Sequence, residues 1–445
     1  MQFWINKETD EIVNNEWSDA YIYSLKRKKY STIFTNITDV WYRMDCLALS
    51  AIYEDLFIIG LSVFSIDKRL SRSKFLNNWT REISVSIPVL EYGKWVYTVE
   101  QWNRVLSFLT GDIWDIHFRK SNVLYSKRDT PNRKHLSIAG CDCVSLFSGG
   151  LDSFCGAIKL LEEGRSPCLI GHNEYPKLRT RQGMFVDSFK SLYNKQKVKF
   201  ISFSANSRAP HKSNGEILDL SENTSRGRSL LFLCAALSIA AILDGDMPVY
   251  IPENGFIGLN LPLTNSRKGT CSTRTTHPYF LSLFQEILEQ VGIRNKIVNF
   301  YAFSTKRELV QEVMDKEAFL INYRDTISCS HPCLPRYNRD GNTEYPINCG
   351  YCYPCLIRKS SLLDIPDDKY SFAAEKDEFV KEYSGTAKIH DLNAVVSSIY
   401  RYEKIDDAQI AEMIRCAGNL DDYQVNNFIR VYKSTMNDLQ ELFSK

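Results

Sequence analysis

The stretch "VSLFSGGLDSF", Val144–Phe154, decides how the rest of the chain is read. An apolar run of strand type ends in Ser-Gly-Gly, an acid follows, and a helix-forming segment begins at about Phe154. A turn that wraps an anion brings backbone N–H groups within hydrogen-bond distance of its oxygens. A β-carbon obstructs that approach, and the turn often demands a positive φ. Gly149 and Gly150 remove the obstruction. Ser148 and Ser153 offer hydroxyl donors, and the helix behind them points its positive dipole end at the anion. Asp152 is the odd member, because a carboxylate facing phosphate is repelled unless a divalent cation lies between them; its presence implies Mg2+ on a polyphosphate. The plainer reading of the same residues is a tight turn with Asp152 or Ser153 as helix N-cap. No G-x-x-x-x-G-K-[ST] occurs, so the loop is not of the Walker type.

Around this loop, β-like runs at 143–147, 168–172, 199–204, 249–253 and 296–303 alternate with helix-length amphipathic segments. That alternation implies right-handed crossovers, and so an α/β, doubly wound parallel sheet over residues 141–325 with helices on both faces. Ligands of such sheets bind beyond the carboxyl ends of the strands, where the strand order reverses, and the loop follows the first strand. Residues 1–140 read as a separate N-terminal α+β module, with a helix around Val40–Tyr53 and an alternating strand at 81–89. A basic linker from Arg119, read as solvated, leads out of it. Residues 326–360 form a cysteine-rich segment, and 361–445 a helical extension.

A chain of 445 residues with 44% hydrophobic residues can build a sizeable core over two or three domains. Its net charge of +2 is too balanced for the counterion release that dominates nucleic-acid affinity, so nucleic acid is not favoured. The start, "MQFWINKETDEIV", lacks the pattern of a signal peptide, and no apolar run approaches a membrane span, so a cytoplasmic protein without a membrane partner is expected. Five of the 13 cysteines fall between Cys329 and Cys355. Three of these, Cys349, Cys352 and Cys355, have C-x2-C-x2-C spacing, with Cys329 and Cys333 upstream; such gaps turn thiolates toward one tetrahedral zinc ion, the competitor being an iron–sulfur cluster.

"SGGLDS" resembles the SGGxDS pyrophosphate loop of the PP-loop ATPases, whose adenine nucleotide alpha hydrolase-like fold splits ATP between its α and β phosphates and transfers AMP to a substrate oxygen. Within that group, "TSRGRSLLFLCAALSIAA" (224–241), "STKRELV" (304–310), "TISC" (326–329) and "CGYCYPCLIR" (349–358) resemble the 7-cyano-7-deazaguanine synthases, the QueC-like enzymes. Gly227-Arg228-Ser229 stands where that family usually has Arg-Asn. The similarity spans roughly 144–360. The added flanks, and the segment 253–280 that replaces an aspartate-rich loop, resemble the QueC-like proteins of bacterial anti-phage systems, among them QatC of the Qat operons.

The resemblance implies an AMP-forming carbon–nitrogen ligase. ATP with Mg2+ is expected on Ser148, Gly149, Gly150, Leu151, Asp152 and Ser153, with His172, Arg226 and Glu253 nearby. Asp152, Ser153, Lys306 and Arg228 are the expected catalytic set; zinc is expected on Cys329, Cys349, Cys352 and Cys355, with Cys333 spare. His172 reads equally as a buried, hydrogen-bonded core histidine, and "STRTTHP" (272–278) as a heterocycle-binding or a solvated loop. The implied substrate is the carboxylate of a 7-carboxy-7-deazaguanine. In the biosynthetic branch ammonia supplies the nitrogen of the nitrile product. In the defence branch the expected amine is the N-terminus of a partner protein from the same operon. Two further readings stay open, a tRNA-modifying PP-loop enzyme and a non-catalytic scaffold.

Overall fold

The computed structural model describes the chain except residues 8–13, 26–31, 45–48, 127–135, 223, 225, 264–273, 334–343, 368, 372–379, 381–388 and 445. The second half of the basic linker and the first two residues of "STRTTHP" therefore lie outside the described residues. In chain order the strands are β1 (Gln2–Asn6), β2 (Tyr21–Ser24), β3 (Ile33–Thr35), β4 (Glu82–Val89), β5 (Ile113–Lys120), β6 (Cys143–Leu146), β7 (Pro167–His172), β8 (Lys199–Phe203), β9 (Ala205–Ser207), β10 (Val249–Tyr250) and β11 (Ile297–Val298).

The central sheet has the order β11-β10-β6-β7-β8, and every pairing in it is parallel. The chain steps outward from β6 through β7 and β8, then returns to β10 on the other side, so the order reverses between β6 and β10. Side chains alternate between two cores, as a strand's period of two requires. Val144 and Ile170 join the core beneath the helices Arg226–Leu243 and Pro278–Gln290, whereas Phe147 and Leu169 join that beneath Leu151–Glu162 and Pro176–Leu192. β10 and β11 are shorter than the apolar runs that contain them. Ile251 still donates to the Val298 carbonyl at 2.9 Å, but Pro252 has no N–H to continue the ladder.

The N-terminal region departs from the α+β expectation. Its sheet, β2-β1-β4-β5, is also wholly parallel; the helix Ala51–Arg69 lies in the connection that leads to β4 and the helix Val99–Thr110 in that from β4 to β5, long crossovers of the kind that parallel neighbours need. The helix expected at Val40–Tyr53 is two helices, Ile37–Arg43 and Ala51–Arg69, with Ser50 extended (φ −53°, ψ 134°) at the start of the second.

One continuous core joins the two sheets. Ala51–Arg69 lies along Arg226–Leu243 so closely that a β-carbon on Gly60 would come within 2.8 Å of the Cys234 Sγ. Trp41 Nε1 donates to Ser238 Oγ at 2.9 Å, Tyr53 Oη to Asn295 Oδ1 at 2.6 Å, and β3 pairs with β9. A helix enclosed on all sides is apolar all round, which explains its composition. By length and hydropathy Arg226–Leu243 would also qualify as a membrane span, contrary to the expectation of none, but 67% of that window is buried in the fold.

A buried ion network fixes the helix's first turn to the N-terminal sheet. Arg81 pairs with Asp67 and Asp112, each at 2.5 Å, and Asp67 accepts from Gly227 N at 2.9 Å. Removing one member strands a desolvated charge, so Arg81→Ala is expected to lower the unfolding free energy by ~3–5 kcal/mol. Urea denaturation followed by circular dichroism reads this; an unchanged midpoint would contradict it.

The C-terminal helices His390–Tyr402, Asp407–Ala417 and Asp422–Ser444 share a third core with Phe256, Leu259, Leu261 and Ile357.

Candidate nucleotide loop and cysteine centre

The loop leaves β6 in the crevice between β6 and β10. Gly149 has φ 83°, and a β-carbon there would meet Gln182 Cγ at 3.2 Å, so this position demands glycine on both counts. Gln182 holds the turn by donating from Nε2 to the carbonyls of Phe147 (3.0 Å) and Ser148 (3.1 Å). The helix starts at Leu151, earlier than expected, which places Asp152 and Ser153 in its first turn. Gly150 is its N-cap and offers no side chain, so the first amides of this helix have no capping acceptor. Nearby hydroxyls serve the loop's own donors: Gly149 N donates to Ser153 Oγ (3.2 Å) and Gly150 N to Ser148 Oγ (3.3 Å). Inward-facing amides at a helix N-terminus suit an anion.

Asp152 is 7% exposed and central to a cluster from three elements. Its Oδ1 pairs with Lys306 Nζ at 2.8 Å, and its Oδ2 accepts from Asn254 Nδ2 at 2.6 Å and Asn254 N at 3.2 Å. Thr305 and Glu308 form a capping box that starts the helix Lys306–Val313, and this sets Lys306 at its first position. Burial opposes ionisation of Asp152. The Lys306 charge and hydrogen bonds from Glu253, Lys306 and Asn254 outweigh it and hold the carboxyl below its usual range. Glu253 is pushed well above its usual range by burial and then by the Asp152 charge. The two acids therefore share one negative charge beside one ammonium. Among the described residues no ready-made cage of oxygen ligands surrounds the pair, and both Asp152 oxygens are engaged, by Lys306 and by Asn254.

The sulfurs of Cys329, Cys349, Cys352 and Cys355 all lie within 4.8 Å of one another, and Cys333 is not among them. Cys349–Cys355 and Cys352–Cys329 are each 3.8 Å apart. Zn–S bonds of ~2.3 Å in a tetrahedron put sulfurs ~3.8 Å apart, so the set could hold a metal ion such as zinc. Backbone N–H groups of His331, Cys349 and Cys352 point at sulfurs at 3.2 to 3.4 Å, an arrangement that favours thiolates. The site is tied to the loop. Asn348, next to Cys349, accepts from Ser328 N at 2.9 Å and donates to the Thr326 carbonyl at 3.0 Å, and Ile327 N donates to the Gly149 carbonyl at 3.1 Å.

No family model, curated protein or solved structure matches this chain.

Of the residues singled out in the sequence, Ser148 to Ser153, Glu253 and Lys306 come together, joined by Asn254. His172 and Arg228 meet elsewhere, in a cavity of about 660 Å3 beyond the ends of β7 and β8. Its other wall comes from the N-terminal region, through Phe34, Asn36, Phe64 and Lys68. Arg228 pairs with Glu174 there. Arg226 points away from the loop and from this cavity; it donates to the Thr110 carbonyl, so the expectation of two neighbouring arginines on one phosphate chain does not describe their placement. Gln182 and Ile327, which shape the loop, carried no signal, since one sits in an amphipathic helix and the other acts through its backbone.

His172 is 7% exposed, and neither ring nitrogen has a protein partner. Burial, then Arg228 and Lys68, lower its pKa from 6.5 to about 3. His277, whose Nδ1 accepts from Tyr279 N at 3.1 Å, is likewise lowered to about 3, by burial and then Arg274. Both are neutral when folded, so the unfolded chain binds more protons below pH 6.5. Stability is then present above the unfolded value and lost as the pH falls toward 3. Going from pH 7 to 5 is expected to remove about 2 kcal/mol through each histidine, and His172→Gln should flatten the urea-midpoint profile accordingly. A profile unchanged by that substitution would contradict the assignment.

Proposed function

We propose that this chain is an AMP-forming, ATP-dependent carbon–nitrogen ligase working at the Ser148–Ser153 loop. What carries the reading is the position of a two-glycine turn, with Gly149 at φ 83°, at the reversal point of a parallel sheet and beside the buried Asp152–Lys306 pair. MgATP enters with its β and γ phosphates on the Gly149 and Gly150 amides and the first turn of Leu151–Glu162; Ser153 Oγ turns from Gly149 N to the phosphate. Lys306 neutralises charge that grows on the departing pyrophosphate. The adenine and its ribose extend toward His172, whose unpartnered nitrogens suit a heterocycle edge.

A carboxylate is a poor electrophile, and adenylation corrects this. A substrate carboxylate oxygen attacks the α-phosphorus, an O–P bond forms, and the bond to pyrophosphate breaks. An amine then attacks the acyl carbon, AMP leaves with the oxygen, and the amine's proton passes to solvent. The chain's resemblance to the defence branch of QueC-like proteins points to a 7-carboxy-7-deazaguanine as the acid and a partner protein's N-terminal amine as acceptor. The same resemblance supports zinc on Cys329, Cys349, Cys352 and Cys355 as a structural ion.

Incubation with labelled ATP, the acid, an ammonium salt and the candidate partner tests this. AMP and pyrophosphate should appear in equal amounts and the partner's intact mass should rise by one acyl group. An unchanged partner with nitrile accumulating would replace conjugation by the biosynthetic reaction. No AMP with any acceptor would leave the scaffold reading.

A further inference from the structure

A second cavity, of about 710 Å3, contains none of the loop residues, Lys306 or His172. It lies where the N-terminal region, the segment Leu259–Leu263 and the C-terminal helices meet, and its size falls in the ~300–1,000 Å3 range of small-molecule sites. Trp79, Phe108, Leu261, Tyr353, Ile405 and Met413 give it aromatic and aliphatic walls. Into this apolar surround the fold sets the guanidinium groups of Arg226, Arg274 and Arg401.

Arg274 donates to the Phe108 carbonyl at 3.1 Å and lies over that ring at 4.9 Å; Arg401 donates to the Pro262 carbonyl at 3.4 Å, and its buried Nε has no hydrogen-bond partner. Carbonyls meet only part of a five-donor group's capacity. Burial pushes the Arg274 pKa down; Arg226 is already engaged by the Thr110 carbonyl and by the Asp67 and Asp112 charges, so Arg274 and Arg401 are the cations this cavity offers a ligand. Among the described residues Glu412 is the one carboxylate lining the cavity, and it is exposed.

We propose that this cavity binds a planar aromatic carboxylic acid, with its ring between the Trp79, Phe108 and Tyr353 side of the wall and its carboxylate on Arg274 and Arg401. A guanidinium fork matches a carboxylate edge to edge, and it stacks on aromatic faces. The place is apt. Leu259 ends the short helix Gly255–Leu259 whose N-cap, Asn254, holds Asp152; five residues at ~1.5 Å rise span only ~7.5 Å. That this acid is the one adenylated rests on the ligase reading, whereas its binding does not.

Calorimetry on the full chain with indole-3-carboxylate tests the proposal, with indole-3-carboxamide as the uncharged control. Saturable one-to-one binding of the acid is expected, at least about tenfold weaker for the amide and for Arg274→Gln or Arg401→Gln. Absence of saturable binding, equal affinity for acid and amide, or unaltered affinity in both variants would overturn it. The acid–amide comparison uses the unsubstituted protein and does not depend on a variant folding. AMP release measured on the same preparation separates the two claims, because acid binding without AMP would sink the ligase reading alone, and AMP without acid binding would sink this site alone.

Discussion

Asp152→Asn is expected to slow AMP release at least about a hundredfold while leaving the shape of the loop intact. The substitution keeps the side chain's volume and removes one charge. Lys306, 2.8 Å away and 7% exposed, loses the carboxylate that compensates it, and the raised Glu253 loses the anion it donates to. On the proposed ligase reading no carboxylate then stands between Lys306 and the phosphates, and the lysine is no longer aimed. Uncompensated burial of the ammonium is also expected to lower stability, by up to ~3–5 kcal/mol. The rate at saturating MgATP, measured well below the variant's melting temperature, separates the chemical effect from unfolding. A variant that is folded and releases AMP at the full rate would contradict the assigned role.

With zinc on the cysteine centre as proposed, stripping it should have the largest effect on stability. Structural zinc in small peptides contributes ~10–16 kcal/mol, comparable to the whole stability of an ordinary domain. Chelation, or Cys352→Ser, is therefore expected to release one metal per chain and open the 326–360 segment to protease. The consequence reaches the loop, because Ile327, two residues before Cys329, donates to the Gly149 carbonyl at 3.1 Å, and the Ile327 carbonyl would lie only 3.2 Å from a β-carbon on Gly150. Nucleotide affinity should fall with metal content, and metal analysis beside a nucleotide titration measures both. Native protein that contains no metal, or a stripped protein that keeps its protease resistance, would contradict a structural role.

The parts of this molecule most legible in the sequence were those set by local chemistry. The strand, two-glycine turn and helix around Ser148–Ser153 depend on residues adjacent in the chain, and the spacing of Cys349, Cys352 and Cys355 is itself a geometric statement. Long-range placement was not legible. Arg226 and Arg228 are two residues apart, on different sides of one helix, and a packing partner from the N-terminal region determines that each serves a different cavity. The parallel pairing of β1, β2, β4 and β5 was hidden because strands of mixed pattern carry no mark of direction, and the crossover helix Ala51–Arg69 is buried along nearly its whole length, which erases the amphipathic stripe. The cavity of Arg226, Arg274 and Arg401 joins residues far apart in sequence, each of which alone reads as a surface charge.

The central claim is that the amides of Gly149 and Gly150 grip the phosphates of ATP. A crystal structure with magnesium and α,β-methylene-ATP tests it most directly. The account predicts β- and γ-phosphate oxygens at hydrogen-bond distance from both amides and from Lys306, with Ser153 Oγ turned away from Gly149 N. Nucleotide bound elsewhere, with that serine–glycine hydrogen bond unbroken, would contradict it.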